Sequence, residues 1–249
     1  MQPAEPVLTS ALPPSALTGA LEVYLLGLVD FDAALFVQER LALEIAHHDD
    51  GRGALLICEH PPLITIGREG SQADIRCDPR ELTARRIEVR WLNRGGGCVP
   101  HVPGQLAAYP ILPLARRGWG LSAYRERLEL AVLDLCRDVR VRAASRRPEE
   151  AGVYCRGGQV AYVGVAVRSW ISLHGLFVNV CPRSDAVSLV KARNGRASSL
   201  AAERGRPVQM SAVRESLIRR LALRLQYERY HLYTGHPLLR RTNRVVAYA

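Results

Sequence analysis

Lysine is almost absent from this chain. Of its 34 basic residues one is lysine, Lys191, and the rest are arginine, set against 24 acidic residues for a net charge of +10. So complete a replacement reads as a coding bias, which raises arginine content without functional meaning. The surplus of positive charge still favours an acidic partner, whether nucleic acid, an anionic membrane surface or an acidic carrier protein. Other absences narrow that choice. Nowhere do five like charges follow one another, and no basic helix is interleaved with aromatic residues, which make up 6% of the chain. A dedicated nucleic-acid surface is therefore unsupported. No apolar run reaches the length of a membrane span. No Lys or Arg precedes Arg40, so MQPAEPVLTSALPPSALTGA lacks the basic start of a secretory signal and reads as a short Pro-rich tail.

The six cysteines, at positions 58, 77, 98, 136, 155 and 181, form no CxxC pair and no Cys/His cluster at zinc-ligand spacing. Dispersed in apolar settings such as LLICEH and LDLCRD, they read as small buried hydrophobes of a reduced, cytoplasmic protein. No metal and no cofactor is expected. The chain also lacks internal repeats and low-complexity linkers, and 249 residues suffice for a substantial core.

What is present is a succession of strands and hairpins with a few helices. LEVYLLGLV (21–29) predicts a strand. DFDAALFVQERLALEIAHH shows helical spacing, with Leu35, Phe36, Leu41, Leu43 and Ile45 recurring over several turns. ALLICEH is a short buried strand stopped by Pro61 and Pro62, LITIG another, and Pro79 opens a short helix at the position that suits it. EVRWL, QLAAYPILPL and HGLFVNV predict strands. GVYC and QVAYVGVAVRSWI flank Arg156-Gly157-Gly158, whose glycines suit a hairpin turn. Residues 121–139 and 211–226 are amphipathic helices. The pattern predicts an α+β fold, a mostly antiparallel mixed sheet with flanking helices. The expected organisation is a tail at 1–20, one domain at 21–233 and an extension at 234–249.

NRGGGCVPHVPGQLAAYPI is the most informative segment. Three successive glycines let a ligand approach the backbone closely. No Gly-Lys-Ser/Thr follows, so it is not a phosphate loop, and its spacing is not that of a dinucleotide fingerprint. Together with EHPPLITIG before it and VAYVGVAVRSWISLHGLFVNV after it, the segment closely resembles the lipoyl(octanoyl) transferases of the biotin and lipoate protein ligase superfamily. The likeness runs from about residue 22 to 226 and implies that superfamily's catalytic-domain fold. It also implies octanoyl transfer from acyl carrier protein to a lysine of a lipoyl domain, in 2-oxoacid dehydrogenases or the glycine cleavage H protein. The family passes the acyl group through a cysteine thioester, and a nearby lysine stabilises the thiolate.

Carried over residue by residue, the family's substrate-binding loop falls on Arg94, Gly95, Gly96, Gly97, Cys98, Val99, Pro100 and His101, with Pro103, Gly104 and Gln105 matching as well. The substrate-facing strand falls on Tyr162, Val163 and Gly164, and the His-Gly pair on His174-Gly175, followed by Leu176 and Phe177. Val99-Pro100 replaces the usual Thr-Tyr, and Val102 a glycine. The activating lysine falls on Gln159. Counted without gaps, the nucleophile's Pro-Cys-Gly triplet lands on Ala192-Arg193-Asn194, and no cysteine follows Cys181 in any register.

A guanidinium stays protonated and offers no lone pair, so Arg193 cannot carry an acyl group, and neutral Gln159 cannot stabilise a thiolate. The resemblance thus leaves no intact catalytic pair. Cys98 in the glycine loop and Lys191 beside Arg193 are the candidate substitutes. Two readings stay open: an octanoyltransferase with altered chemistry, and a non-catalytic binder of acyl carrier protein, fatty acid or lipoyl domain.

Overall fold

The computed structural model describes residues 19–142, 144–147, 150–191 and 196–239; Arg193 lies outside the described residues. Strand β1 (Leu21–Leu28) leads into helix α1 (Phe31–Ala46), which starts at Asp30 because its carboxylate accepts the Ala33 N–H at 3.0 Å. The helix buries Phe31, Ala34, Val37, Gln38, Leu41, Ala42 and Ile45. Phe36 and Leu43, expected among the recurring apolar positions, lie off that stripe and are 51% and 49% exposed.

The remaining strands are β2 (Gly53–Glu59), β3 (Leu63–Ile66), β4 (Glu88–Trp91), β5 (Cys98–His101), β6 (Gln105–Ile111), β7 (Ser145–Arg147), β8 (Glu150–Tyr154), β9 (Gln159–Arg168), β10 (Ile171–Asn179) and β11 (Tyr230–Thr234). Seven of these join β1 in one sheet, in the order β11-β1-β2-β6-β10-β9-β8-β7, and β4-β3-β5 form a second, smaller one. β1 pairs in parallel with β11 and β2, and every other pair in the large sheet is antiparallel. The expected mostly antiparallel mixed sheet is what is found.

Every residue of β6 and β10 is buried, because the large sheet is covered on both faces. On one face α3 (Leu121–Asp138) and α6 (Met210–Arg224) pack Tyr124, Leu128, Leu135, Leu217 and Leu221 against Leu106, Leu176 and Val178. On the other, α1 covers Leu56, Tyr109 and Phe177. Burial of this apolar surface, at roughly 25 cal/mol per Å², is the main force holding the layers together. Short helices α2 (Pro79–Ala84), α4 (Ser184–Val187) and α5 (Leu200–Arg204) complete the fold. Among the described residues no helix is long and apolar enough to cross a membrane.

Three strands were not expected. β5 lies inside what reads as a glycine-rich loop; it is an edge strand, where Pro100 loses no ladder bond by lacking an N–H. β7 is three residues long. β11 is exposed along its whole length, so it shows no alternation of apolar and polar residues. It nevertheless fixes the start of the expected C-terminal extension: Gly235 N–H donates to the Leu25 carbonyl, and Leu238 and Leu239 pack against the α1 side of the core.

Candidate functional site

The glycine loop is held from below by a buried cation. Arg94 is 0% exposed, and its Nη2 donates to the Thr65 carbonyl (3.0 Å) and hydroxyl (2.7 Å) while Nη1 donates to the Gly95 carbonyl (3.0 Å). Burial lowers the guanidinium to about 10, so it remains charged at neutral pH. Two glycines make room for it. A Cβ on Gly164 would stand 2.9 Å from Arg94 Nη1 and 2.8 Å from the Gly95 carbonyl, and one on Gly67 would stand 2.8 Å from the same Nη1. Gly96 has φ +80°, a conformation that favours glycine. The loop is laced to the segment after β3: Gly67 N–H donates to the Gly97 carbonyl, Arg68 N–H to that of Arg94, and Gly96 N–H to Glu69 Oε1.

Thr65 passes the effect on. Its hydroxyl accepts from Arg94 and sits 2.8 Å from His101 Nε2, within hydrogen-bond distance of the imidazole. Burial, then His60 and Arg94, holds His101 well below the usual histidine range, and the ring is neutral. Burial alone takes His60 down to about 4, and burial with Arg94 does the same to His174. His101 packs edge-on to Phe177 at 4.6 Å and stands beside His60, whose Nε2 meets the Tyr109 hydroxyl at 2.6 Å. These residues form the floor under the loop.

Above the loop is a cavity of about 200 Å³ where β5 meets β8 and β9. Of the residues expected in the site, Arg94, Gly96, Gly97, Cys98, Val99, Gln159, Tyr162, Val163 and Lys191 line it. Gln159 is buried, and its Nε2 donates to the carbonyls of Ala151 and Ala161, both at 3.2 Å. Lys191 is exposed on the cavity wall. Its backbone N–H donates to the Asp74 carbonyl at 2.7 Å, which brings the segment before the Arg193 position to the cavity.

The other expected residues support the site without lining it. Gly95 is tied through its N–H to the Val165 carbonyl at 2.8 Å. Gly164 accommodates Arg94, and Pro100 and His101 lie in β5 beneath the loop. Gly175 lets β10 approach β6, since a Cβ there would stand 2.2 Å from the Ala108 carbonyl. Leu176 packs on the α3 side of the sheet and Phe177 on the α1 side, as successive strand residues must.

Sequence reasoning did not anticipate the carboxylates of the cavity, Glu69, Asp74 and Glu150, nor Tyr154 and Thr65. Thr65 and Glu69 stand in or beside the EHPPLITIG motif, where the alternation of β3 and the turn at Gly67-Arg68 hold the only available signal. Glu150 comes from the far end of the hairpin, with no local mark of its destination.

The one cysteine lining the cavity is a poor nucleophile. Cys98 Sγ donates to the Ser71 carbonyl at 3.2 Å and lies 4.0 Å from Asp74 Oδ2; burial, then the Asp74 charge, pushes the thiol up. It is therefore protonated at neutral pH, and the thiolate is the reactive form. Among the described residues no group of His, Cys, Asp and Glu is placed to hold a metal ion.

Comparison with known proteins identifies the family. The lipoyl protein ligase A/B catalytic domain family matches residues 30–222. The octanoyltransferase of Geobacter metallireducens is 37% identical over 215 residues, 85% of this chain and 97% of that protein. That of Geotalea uraniireducens is 44% identical over 155 residues, 62% of this chain and 68% of the relative. Among solved structures, a lipoate-protein ligase A bound with ATP superposes with a TM-score of 0.71 at 16% identity, covering 90% of this chain and 91% of that one. The bipartite lipoate protein ligase of Thermoplasma acidophilum gives 0.67 at 17% identity, covering 90% and 89%. At such identities these two speak for the fold. By the family match over residues 30–222 and the octanoyltransferase relatives, the chain belongs to the lipoyl protein ligase A/B catalytic-domain family, on the branch of the octanoyltransferases.

Proposed function

We propose that the protein is an octanoyltransferase of lipoate biosynthesis in the cytoplasm, moving octanoyl from acyl carrier protein to the target lysine of a lipoyl domain directly, without an acyl-enzyme. The observation that carries this reading is the single cavity shared by the glycine loop, buried neutral Gln159 and the exposed ammonium of Lys191, with a protonated Cys98 in its wall.

In this scheme the octanoyl tail lies against Val99, Tyr162 and Val163, and the thioester carbonyl lies over the glycine backbone. Glu69, Asp74 and Glu150 attract the target lysine's ammonium, and a carboxylate takes one of its protons. The freed amine attacks the carbonyl carbon, and a C–N bond forms as the C–S bond breaks. Lys191 faces the negative charge that passes from the carbonyl oxygen to the departing sulfur and protonates that sulfur. The remaining amide proton returns to Lys191, and one proton in all goes to solvent. Holding thioester and amine together in one small cavity supplies the proximity that such an aminolysis lacks in solution.

Incubating the purified protein with octanoyl acyl carrier protein and a lipoyl domain tests the reading. Octanoylation of the lipoyl-domain lysine supports it. Retained binding of carrier or lipoyl domain with no transfer in a sensitive assay would make the protein a non-catalytic binder on an acyltransferase frame.

A further inference from the structure

A second pocket, of about 310 Å³, backs onto the first. The partition is a short antiparallel pairing: Arg76 N–H donates to the Leu189 carbonyl and Lys191 N–H to that of Asp74, both at 2.7 Å. Asp74 and Lys191 line the first cavity, whereas Arg76 and Val190 line the second. The other end of the partition is Gln159, which exchanges backbone hydrogen bonds with Arg196 and Ser198 (2.8 and 2.9 Å); Gln159 lines the first cavity and Arg196 the second. The two pockets therefore share a wall one peptide segment thick at both ends.

The second pocket has a distinct chemistry. Among the described residues no acidic one lines it, and the charged groups are the exposed guanidinium groups of Arg76 and Arg196. Among the described residues neither is paired with a carboxylate. The nearby Glu203 is turned to the Gly157 N–H at 3.0 Å and to the Ser198 hydroxyl. The rest of the lining mixes small apolar side chains, among them Val187, Val190 and Ala202, with Ser188, Ser198 and Ser199. Two arginine forks suit the oxygens of a phosphate, and small apolar side chains suit a branched hydrocarbon next to it.

We propose that this pocket binds the phosphate end of the acyl donor's arm. The donor would be a thioester on a phosphopantetheine, whose phosphate is followed, after one methylene, by a gem-dimethyl carbon. The proposal rests on the acyl-donor reading above and adds the feature that recognises the donor. Arg76 and Arg196 hold the phosphate, Val187, Val190 and Ala202 take the dimethyl group, and the rest of the arm leads to the glycine loop of the neighbouring cavity. The same chemistry is offered by a carrier protein's prosthetic arm and by free coenzyme A.

Calorimetric titration of the intact protein with 4′-phosphopantetheine and with pantetheine tests the pocket without requiring catalysis. Phosphopantetheine should bind at least about tenfold more tightly, an advantage that Arg76→Glu and Arg196→Glu should each abolish, with pantetheine affinity unchanged. Equal affinities for the two compounds, or variants that keep the phosphate preference, would overturn the proposal. Both arginines are exposed, so the folded state survives their replacement, as circular dichroism would show. Tighter binding of the octanoyl carrier than of octanoyl-coenzyme A would identify the protein-borne arm as the source, and the reverse order the free cofactor; either supports a phosphate subsite. Transfer assayed with octanoyl-pantetheine, which lacks the phosphate, separates the two claims. Its occurrence alongside failed phosphate discrimination would sink the subsite alone. Absence of transfer from the octanoyl carrier itself, alongside intact discrimination, would sink the transfer reading alone.

Discussion

Replacing Thr65 by valine removes one hydroxyl from the polar contact beneath the glycine loop. That oxygen accepts from Arg94 Nη2 at 2.7 Å and meets His101 Nε2 at 2.8 Å, and all three residues are 0% exposed. Valine keeps the branched shape, so β3 packs as before and the loss is that of the hydrogen bonds. A bond to a charged donor contributes about 1.5–3 kcal/mol and a neutral one about 0.5–1.5 kcal/mol. Arg94 Nη2 retains the Thr65 carbonyl at 3.0 Å, which moderates the first figure. The expected destabilisation is about 2–4 kcal/mol, which for a chain of this size lowers Tm by roughly 4–16 °C. Thr65→Ser keeps the hydroxyl and gives up one methyl group, costing about 1 kcal/mol. Thermal and urea unfolding of both variants decide the matter. A loss under about 0.5 kcal/mol in Thr65→Val, or equal damage in Thr65→Ser, would refute the linkage of Arg94 to His101 through this oxygen.

Other predictions follow from the same geometry. Lys191→Met should lower octanoyl transfer by about 10²-fold in single-turnover assays, as loss of one electrostatic partner of the transition state does. Because Lys191 is the only lysine, protecting it with bound octanoyl carrier against an amine-reactive reagent is readable from a single peptide. Cys98→Ala should leave the transfer rate within about threefold, since a protonated thiol contributes no nucleophile; a loss of several orders of magnitude would restore Cys98 as the acyl carrier. Gly164→Ala should destabilise the fold by about 1–3 kcal/mol, because the new methyl meets Arg94 and the Gly95 carbonyl. Stability should also fall on acidification. His60 and His174 hold protons in the unfolded chain below about 6.5 and in the folded one only below about 4. The unfolded state thus binds more protons in that window, and each histidine removes up to about 3 kcal/mol as pH drops through it. Chemical denaturation at pH 7 and pH 4.5 would show no difference if these rings were solvated.

Much of this architecture is legible in the sequence, and what is not has identifiable causes. Helices such as α3 and the core strands β6 and β10 announce themselves because burial imposes a period or a continuous apolar run. Phe36 and Leu43 mislead because an apolar residue need not lie on the buried stripe, and β11 escapes because an exposed strand needs no pattern. The glycine loop is recognisable as a motif, yet the reason for its conformation is not: Arg94 under it, and Gly67 and Gly164 yielding to that side chain from distant segments, are tertiary facts. The same holds for the cavity. Lys191 stands out as a composition anomaly, but its place beside Gln159 and Cys98 depends on its pairing with Asp74, far away in the chain. The carboxylates Glu69 and Asp74, from the connection after β3, and Glu150, from β8, converge from two distant segments and carry no shared sequence signature.

The central claim is that octanoyl moves without resting on this protein. An acid-quenched single turnover, with octanoyl carrier protein, the protein and a lipoyl domain resolved by intact mass, tests it most directly. The account predicts that the lipoyl domain gains the octanoyl group at the rate the carrier loses it, with the protein's own mass unchanged at every time point. An octanoylated form of the protein that rises before the lipoyl product and decays with it, mapping to Cys98 or any other thiol, would contradict it.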